Sequence, residues 1–372
     1  MAASGDDPLT LGVEEEFHVA DPATRSLTTD ADAVLDKLET GDGAQFEAEL
    51  HQSMVESCTT VCTTLADVRE QLVALRADAD RAARAAGRRI AASGSFPLAG
   101  RLGQVTPKPR YEWILERYGR MAAEQFVCGS HVHVGIDDRD TATAVMTRAR
   151  PWVPVLLALS ASSPFWAGVD TGYASYRSQV WGQWPVAGMP QAFDGAADYD
   201  AMVQALIDTG TAVDTAMTYW DMRLSPRFDT LEFRTADVCT TVDEAVLHAG
   251  LCRALASTCL RELADQRHAP PPPRMELLQA ARWRAARFGL GERLVDVAQR
   301  RALPAAEMVD RLLEHLRAAL QRAGDWEEVS RLAEQVQARG TGADRQRRAF
   351  RRAGRLEDVV DLIVQETAGS PA

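Results

Sequence analysis

Lysine is almost missing from this chain of 372 residues: only Lys37 and Lys108 occur. Neither follows a glycine-rich phosphate loop, so nucleotide binding by a P-loop, which relies on such a lysine, is excluded. A cationic surplus is missing too. Asp and Glu number 53 against 41 Lys and Arg, a net charge of −12, the wrong sign for a protein that neutralises nucleic-acid phosphates. The six cysteines include no Cys-x-x-Cys pair, which argues against a metal knuckle and fits reduced thiols in a cytoplasm. Long apolar runs are absent as well: the longest, at 152–159, contains Pro154 and falls far short of a membrane span. No basic segment followed by an apolar one opens the chain, as a secretory signal would. The expectation is a cytoplasmic protein with neither nucleic acid nor membrane as partner.

What is present suits a globular enzyme. The apolar share is 46% and the charged share 25%, enough to bury a real core. Charge is uneven: from Arg274 onward 18 Arg face 15 acidic residues, so the acidic surplus lies in the first three quarters. Residues 9–19 alternate, with Leu11, Val13, Phe17 and Val19 on one side and Gly12, Glu14, Glu16 and His18 on the other. Strand-like runs recur at 45–60, 89–93, 124–136 and, as a hairpin, at 222–236. Helical patterns fill 65–86, 110–120, 197–217 and most of the chain after Thr241. Short strands without regular β-α-β alternation predict an α+β fold: a largely antiparallel sheet with helices on one side. The prolines at 270–273 suggest a linker at 269–273 between a catalytic domain, 1–268, and a helical region, 274–372.

Four segments could carry chemistry. Glu14 and Glu16 project to one strand face about 7 Å apart, and their repulsion fits either a solvated edge strand or a site for a hard cation. Glu49 and Glu56 are seven residues apart, an odd spacing that one regular strand would send to opposite faces. Both reach one site only if the chain bends near Gln52 and Ser53; otherwise they, like Glu47, are surface carboxylates. His131 and His133 share a strand face between Gly129 and Gly135. They are structural histidines, metal ligands, or the His-x-His pair of a metal-dependent hydrolase. The hydrolase would need further ligating histidines, and downstream only His248, His268 and His315 remain, in helical or linker sequence. Glu232 and Arg234 also share a face, as a salt bridge or as a metal ligand beside a phosphate clamp. Arg177, next to Tyr176 and near Trp181 and Trp184, offers a guanidinium in an aromatic loop. Five glutamates and one histidine converging would hold two or more Mg²⁺ ions, a platform for ATP chemistry without a P-loop.

The motifs Leu11-Gly-Val-Glu-Glu-Glu-Phe17, Cys128-Gly-Ser-His-Val-His-Val-Gly135 and Pro226-Arg-Phe-Asp-Thr-Leu-Glu-Phe-Arg-Thr-Ala-Asp-Val238 resemble the carboxylate–amine ligases of the glutamate–cysteine ligase type 2 family. The likeness runs nearly end to end, including the tail around Gly340-Thr-Gly-Ala-Asp-Arg-Gln-Arg. It implies a glutamine synthetase-like fold, a curved antiparallel sheet that binds ATP at one end and the acid and amine at the other. By that resemblance Glu14, His131 and Glu232 hold the metal that bridges the ATP phosphates. Glu16, Glu49 and Glu56 hold the metal nearer the substrate. Arg234 steadies the transferred phosphate, and Arg177 contacts the acid and the developing acyl phosphate. The implied reaction activates the γ-carboxylate of glutamate with ATP and Mg²⁺ (or Mn²⁺) and couples it to an amine such as cysteine, in a homodimer. Ser95, where many relatives carry histidine, and Lys108, where an acidic residue is commoner, leave the amine open to another amino acid or amine. A catalytically inert relative would be expected to have lost a carboxylate of the set, and none is missing.

Overall fold

The computed structural model describes residues 8–38, 46–100, 103–266 and 272–369. Its centre is a seven-stranded antiparallel sheet of β1 (Leu11–Ala20), β2 (Phe46–Ala48), β3 (Met54–Cys58), β4 (Arg89–Ala91), β5 (Gly129–Gly135), β6 (Met222–Leu224) and β7 (Thr230–Asp237). The order is β6-β7-β5-β1-β3-β2, and β4 pairs with the far half of β1. This is the mixed helix-and-strand architecture with an antiparallel sheet that the alternation in the sequence predicts.

Alternation along β1 decides which face is buried. Leu11, Val13, Phe17 and Val19 are at most 2% exposed and pack under helices. Glu15 points the same way, and it is paired. Arg76, from the helix Leu65–Ala85, donates to both its carboxylate oxygens at 2.9 and 2.6 Å and also to the carbonyls of Cys239 and Thr240. Two charges share that apolar face only because each fills the other's hydrogen-bonding needs. The three consecutive glutamates therefore do not crowd one side; the middle one is turned away.

The helix Val242–Ala264 lies behind the sheet. Thr241 starts it with a capping box closed by Glu244, and its residues are apolar on nearly every side because it is packed on nearly every side. Gly250 shows how closely: a Cβ there would stand 2.7 Å from Val329 and 3.0 Å from Leu65. One cluster of buried apolar side chains runs from Leu11 to Val336 and includes Leu278, Leu312 and Leu332 of later helices. Arg345, from the helix Gly342–Ala353, is buried between Glu244 and Glu366, with contacts of 2.6 to 3.1 Å. The proline stretch expected as a linker lies largely outside the described residues.

Two expectations change. The helix expected at 197–217 ends at Asp208, because Gly210 adopts φ of +70° and turns the chain. The tail after Thr241 is not helix throughout: Arg293–Asp296 and Arg301–Pro304 form a two-stranded ribbon. Asp296 Oδ1 accepts from the Gln299 amide at 2.8 Å to close its turn.

Candidate metal and ligase site

The face of the sheet opposite the helices Leu65–Ala85 and Val242–Ala264 carries the charged residues of the even positions of β1 and their neighbours. Glu14 stands opposite His131, Glu16 opposite Glu56, and Glu232 opposite both His133 and Arg223. Glu49 reaches the same cleft because β2 and β3 form a hairpin whose turn contains Gln52 and Ser53. The odd spacing from Glu56 is thus absorbed by a reversal of the chain, not by a bulge. The register of β7 against β5 shifts between Phe233 and Ala236, a local irregularity at the position of Arg234. The rest of the wall comes from Arg110, Tyr111 and Ile114 of the helix Pro109–Tyr118, together with Trp181, Trp184 and Tyr219.

Hydrogen bonds lock the imidazole end. Glu14 faces His131 Nδ1 at 2.9 Å and His133 Nε2 at 3.1 Å, while His133 Nδ1 meets Thr230 Oγ1 at 2.9 Å. Desolvation opposes the Glu14 charge, but the two histidine hydrogen bonds outweigh it and hold its pKa well below the ordinary range. Burial and the nearby Arg234 push His131 down to about 4. A neutral ring that donates from Nδ1 to Glu14 leaves Nε2 as an acceptor, and Nε2 is buried with no partner among the described residues. Glu232 is also desolvated, yet Arg234 and Arg223 keep it strongly acidic. Arg223 grips it with two bonds of 2.7 and 3.1 Å, and Arg234 Nη1 binds the same carboxylate.

The carboxylate end is electrostatically unsatisfied. Burial, then the charge of Glu49, raises Glu16 to about 8. Burial and the charges of Glu49, Glu14 and Glu16 push Glu56 well up, and burial also raises Glu49. One ligand atom each from Glu14, His131 and Glu232 lie within 4.8 Å of one another, and so do atoms from Glu16, Glu56 and His131. That separation suits donors on opposite sides of one small cation, and oxygens with a single imidazole suit Mg²⁺ or Mn²⁺. Glu49 lines the cleft without joining either group.

Arg177 lies on the same side of the sheet, just beyond the cleft lining. It is 2% exposed, does not line the cleft, stacks 5.6 Å over Trp181, and has an Nε without a partner among the described residues. Gly129 separates it from His131: a Cβ there would fall 2.3 Å from Arg177 Nη2 and 3.1 Å from His131 Nε2. Glycine is favoured at that strand position by proximity, not by backbone angle, because any side chain there would displace Arg177.

Residues 10–362 match the sequence pattern of glutamate–cysteine ligase family 2. The chain belongs to that family. A Frankia alni protein with the provisional name glutamate–cysteine ligase 2-2 is 46% identical over 373 aligned positions, covering 96% of this chain and 97% of its own. A relative from Rhodopirellula baltica with a similar provisional name is 40% identical and covers 97% of each chain. Among solved structures, the glutamate–cysteine ligase of Francisella tularensis in complex with AMP superposes with a TM-score of 0.70 at 12% identity, over 98% of this chain and 90% of that one. A bifunctional glutathione synthetase from Pasteurella multocida also gives 0.70 at 17% identity, over 97% of this chain and 52% of that one. These two likenesses show a shared fold. Family membership makes the chain a carboxylate–amine ligase, an enzyme that forms amide bonds between small molecules. No helix among the described residues of this family member is long and apolar enough to cross a membrane.

Sequence reasoning missed three parts of the cleft. Arg223 alternates with Met222 and Leu224 on β6, and pairing the predicted hairpin in register would have set it against Glu232. Glu47 stands opposite Glu56 on β2 and lines the cleft while exposed. Tyr111 and Tyr219 come from segments whose approach to the sheet no local pattern announces.

Proposed function

We propose that this ligase consumes ATP to activate the γ-carboxylate of glutamate and couples the activated acyl group to an amine, cysteine or another amino acid. The observation that carries this reading is His131 shared between two groups of carboxylates, Glu14 with Glu232 and Glu16 with Glu56. Glu14, His131 and Glu232 would hold one Mg²⁺ or Mn²⁺, and Glu16 and Glu56, beside the shared His131 and with Glu49 drawn in from the cleft lining, a second. When bound, such ions neutralise charge that builds up on a phosphoryl group in transfer.

The chain's own residues supply the remaining roles. Arg234, fixed by Glu232 and 5.9 Å over Trp181, is oriented to stabilise the transferred phosphoryl oxygens. A carboxylate oxygen of the acid attacks the γ-phosphorus, and ADP leaves with the electron pair of the broken P–O bond. The amine nitrogen then adds to the acyl carbon, phosphate departs, and the protons shed by nitrogen pass to phosphate and solvent. Activation is needed because a carboxylate resists attack by an amine, whereas phosphate is a good leaving group. Arg177, cationic and desolvated beside Glu16, stabilises the acid and its acyl phosphate. The homodimer implied by the resemblance belongs to the same reading, and light scattering checks it.

The test is ADP release with glutamate and a panel of amines, followed by Glu14→Gln. ADP formation that requires both substrates and disappears in Glu14→Gln supports the reading. Amide cleavage without ATP would instead favour a hydrolase built on His131 and His133. The structure offers little to that alternative, because both ring nitrogens of His133 are already engaged.

A further inference from the structure

An amino-acid substrate brings a carboxylate into a cleft already crowded with Glu14, Glu16, Glu47, Glu49 and Glu56. It needs a cation that is not already committed. Arg223 and Arg234 are both bound to Glu232, and Arg177, beyond the cleft lining, is already assigned to the reacting carboxyl and its acyl phosphate. Arg227 sits on an exposed turn at the rim.

Arg110 is different. Pro109 opens the helix Pro109–Tyr118, where a fixed φ suits the first turn, and so places Arg110 on the cleft wall. Its Nη2 makes one bond of 3.2 Å to Asp214 Oδ1. Its Nη1 is buried and has no partner among the described residues. Near it stand Tyr111 and Tyr219, and the Tyr219 ring lies 4.8 Å from that of Trp181 on the same wall. Burial raises Tyr219 to about 12 while Arg110 pulls the other way, which fits a desolvated wall with the guanidinium close by. A guanidinium held at one end by an acid, with a buried and unpaired Nη1 at the other, is half of a two-point carboxylate clamp.

We infer that Arg110 is a specificity-determining residue that binds the free α-carboxylate of an amino-acid substrate and so restricts the enzyme to α-amino acids over the corresponding simple amines or acids. This deepens the ligase reading and rests on it. The carboxylate belongs either to the acid substrate or to the amine substrate, and the experiment separates the two.

Calorimetric titrations would compare wild type and R110A in the presence of Mg²⁺ and a non-hydrolysable ATP analogue. The probes are L-glutamate against γ-aminobutyrate, which lacks only the α-carboxylate, and L-amino acids such as cysteine against their decarboxylated amines such as cysteamine. Wild type should prefer the carboxylate-bearing member of at least one pair. R110A should lose that preference, weakening it by roughly tenfold to a hundredfold, the range for hydrogen bonds to a charged group, while the decarboxylated partner binds as before. R110K, which keeps charge without the fork, should fall between them. The pair that loses its preference identifies the substrate. Arg110 is about one-third exposed, with its side chain 32% accessible, and R110A should fold; an unchanged melting temperature verifies this. Equal weakening of both members of each pair, or an unchanged preference, overturns the inference. Wild type that prefers no carboxylate-bearing ligand overturns it as well. Intact ADP release by R110A with unchanged preference would reject Arg110 alone. An Arg110-dependent preference in a protein that never releases ADP would reject the ligase reading alone.

Discussion

Replacing Glu56 by glutamine should make the metal-free protein more stable. Glu16 and Glu56 are direct cross-strand partners, and their ligand atoms lie within 4.8 Å. At an effective dielectric constant of about 20, two unit charges at that distance repel by roughly 3.5 kcal/mol. For a chain of this length that corresponds to about 4 °C in melting temperature. The size depends on pH, and its sign follows from Glu16, whose pKa rises from 4.5 to about 8 on folding. A carboxyl raised in the folded state contributes stability that is complete below its unfolded pKa and is lost as pH climbs through its folded pKa. Metal-free wild type should therefore lose stability between about pH 4.5 and pH 8, and Glu56→Gln, which removes a second carboxyl pushed well up by burial and by Glu49, Glu14 and Glu16, should flatten that decline. Divalent cation should restore the wild type at the alkaline end, where no proton has to be displaced, and should do much less for the variant. Scanning calorimetry in chelator across this range, then with Mg²⁺ or Mn²⁺ added, reads all three effects. A metal-free variant that melts below wild type, or a wild type indifferent to divalent ions, would refute the reasoning.

Three further outcomes are expected. Arg76→Met should cost about 3 to 5 kcal/mol in urea unfolding because it strands the Glu15 charge, and adding Glu15→Gln should recover much of the loss. Gly129→Ala should leave the protein folded but lower kcat at least tenfold, since its methyl group competes for space with Arg177 Nη2 at 2.3 Å; unchanged turnover would remove that contact from the site. Arg177→Ala should raise KM for the acid and lower kcat, while an unaltered profile in steady-state kinetics would exclude Arg177 from catalysis.

Strand parity made much of the site legible from the sequence. Glu14 with Glu16, His131 with His133 and Glu232 with Arg234 each share a face by simple alternation, and the sheet brings those faces together. The direction taken by Glu15 was legible from the same alternation, yet its partner was not. Arg76 lies in a helix whose pattern reads as ordinary, and only tertiary packing delivers it under β1. Glu49 depended on recognising a chain reversal within a run that looks like one strand. Arg110 and Tyr219 were out of reach, because their place in the cleft is set by how their segments dock on the sheet and not by periodicity. The ribbon at 293–304 was hidden in a stretch of helix formers, where tertiary context overrode local preference.

The alternation of β1 has a consequence for how this sequence can change over time. Glu14 and Glu16 belong to the cleft side, while Val13, Glu15 and Phe17 belong to the interior. Inserting or deleting a single residue in this stretch would swap the two sets, driving carboxylates into the oil and aliphatic groups into the cleft. No gradual route passes through such a change. Length variation in descendants should therefore gather in the connections around the sheet, and 11–17 should keep its spacing even where its amino acids drift.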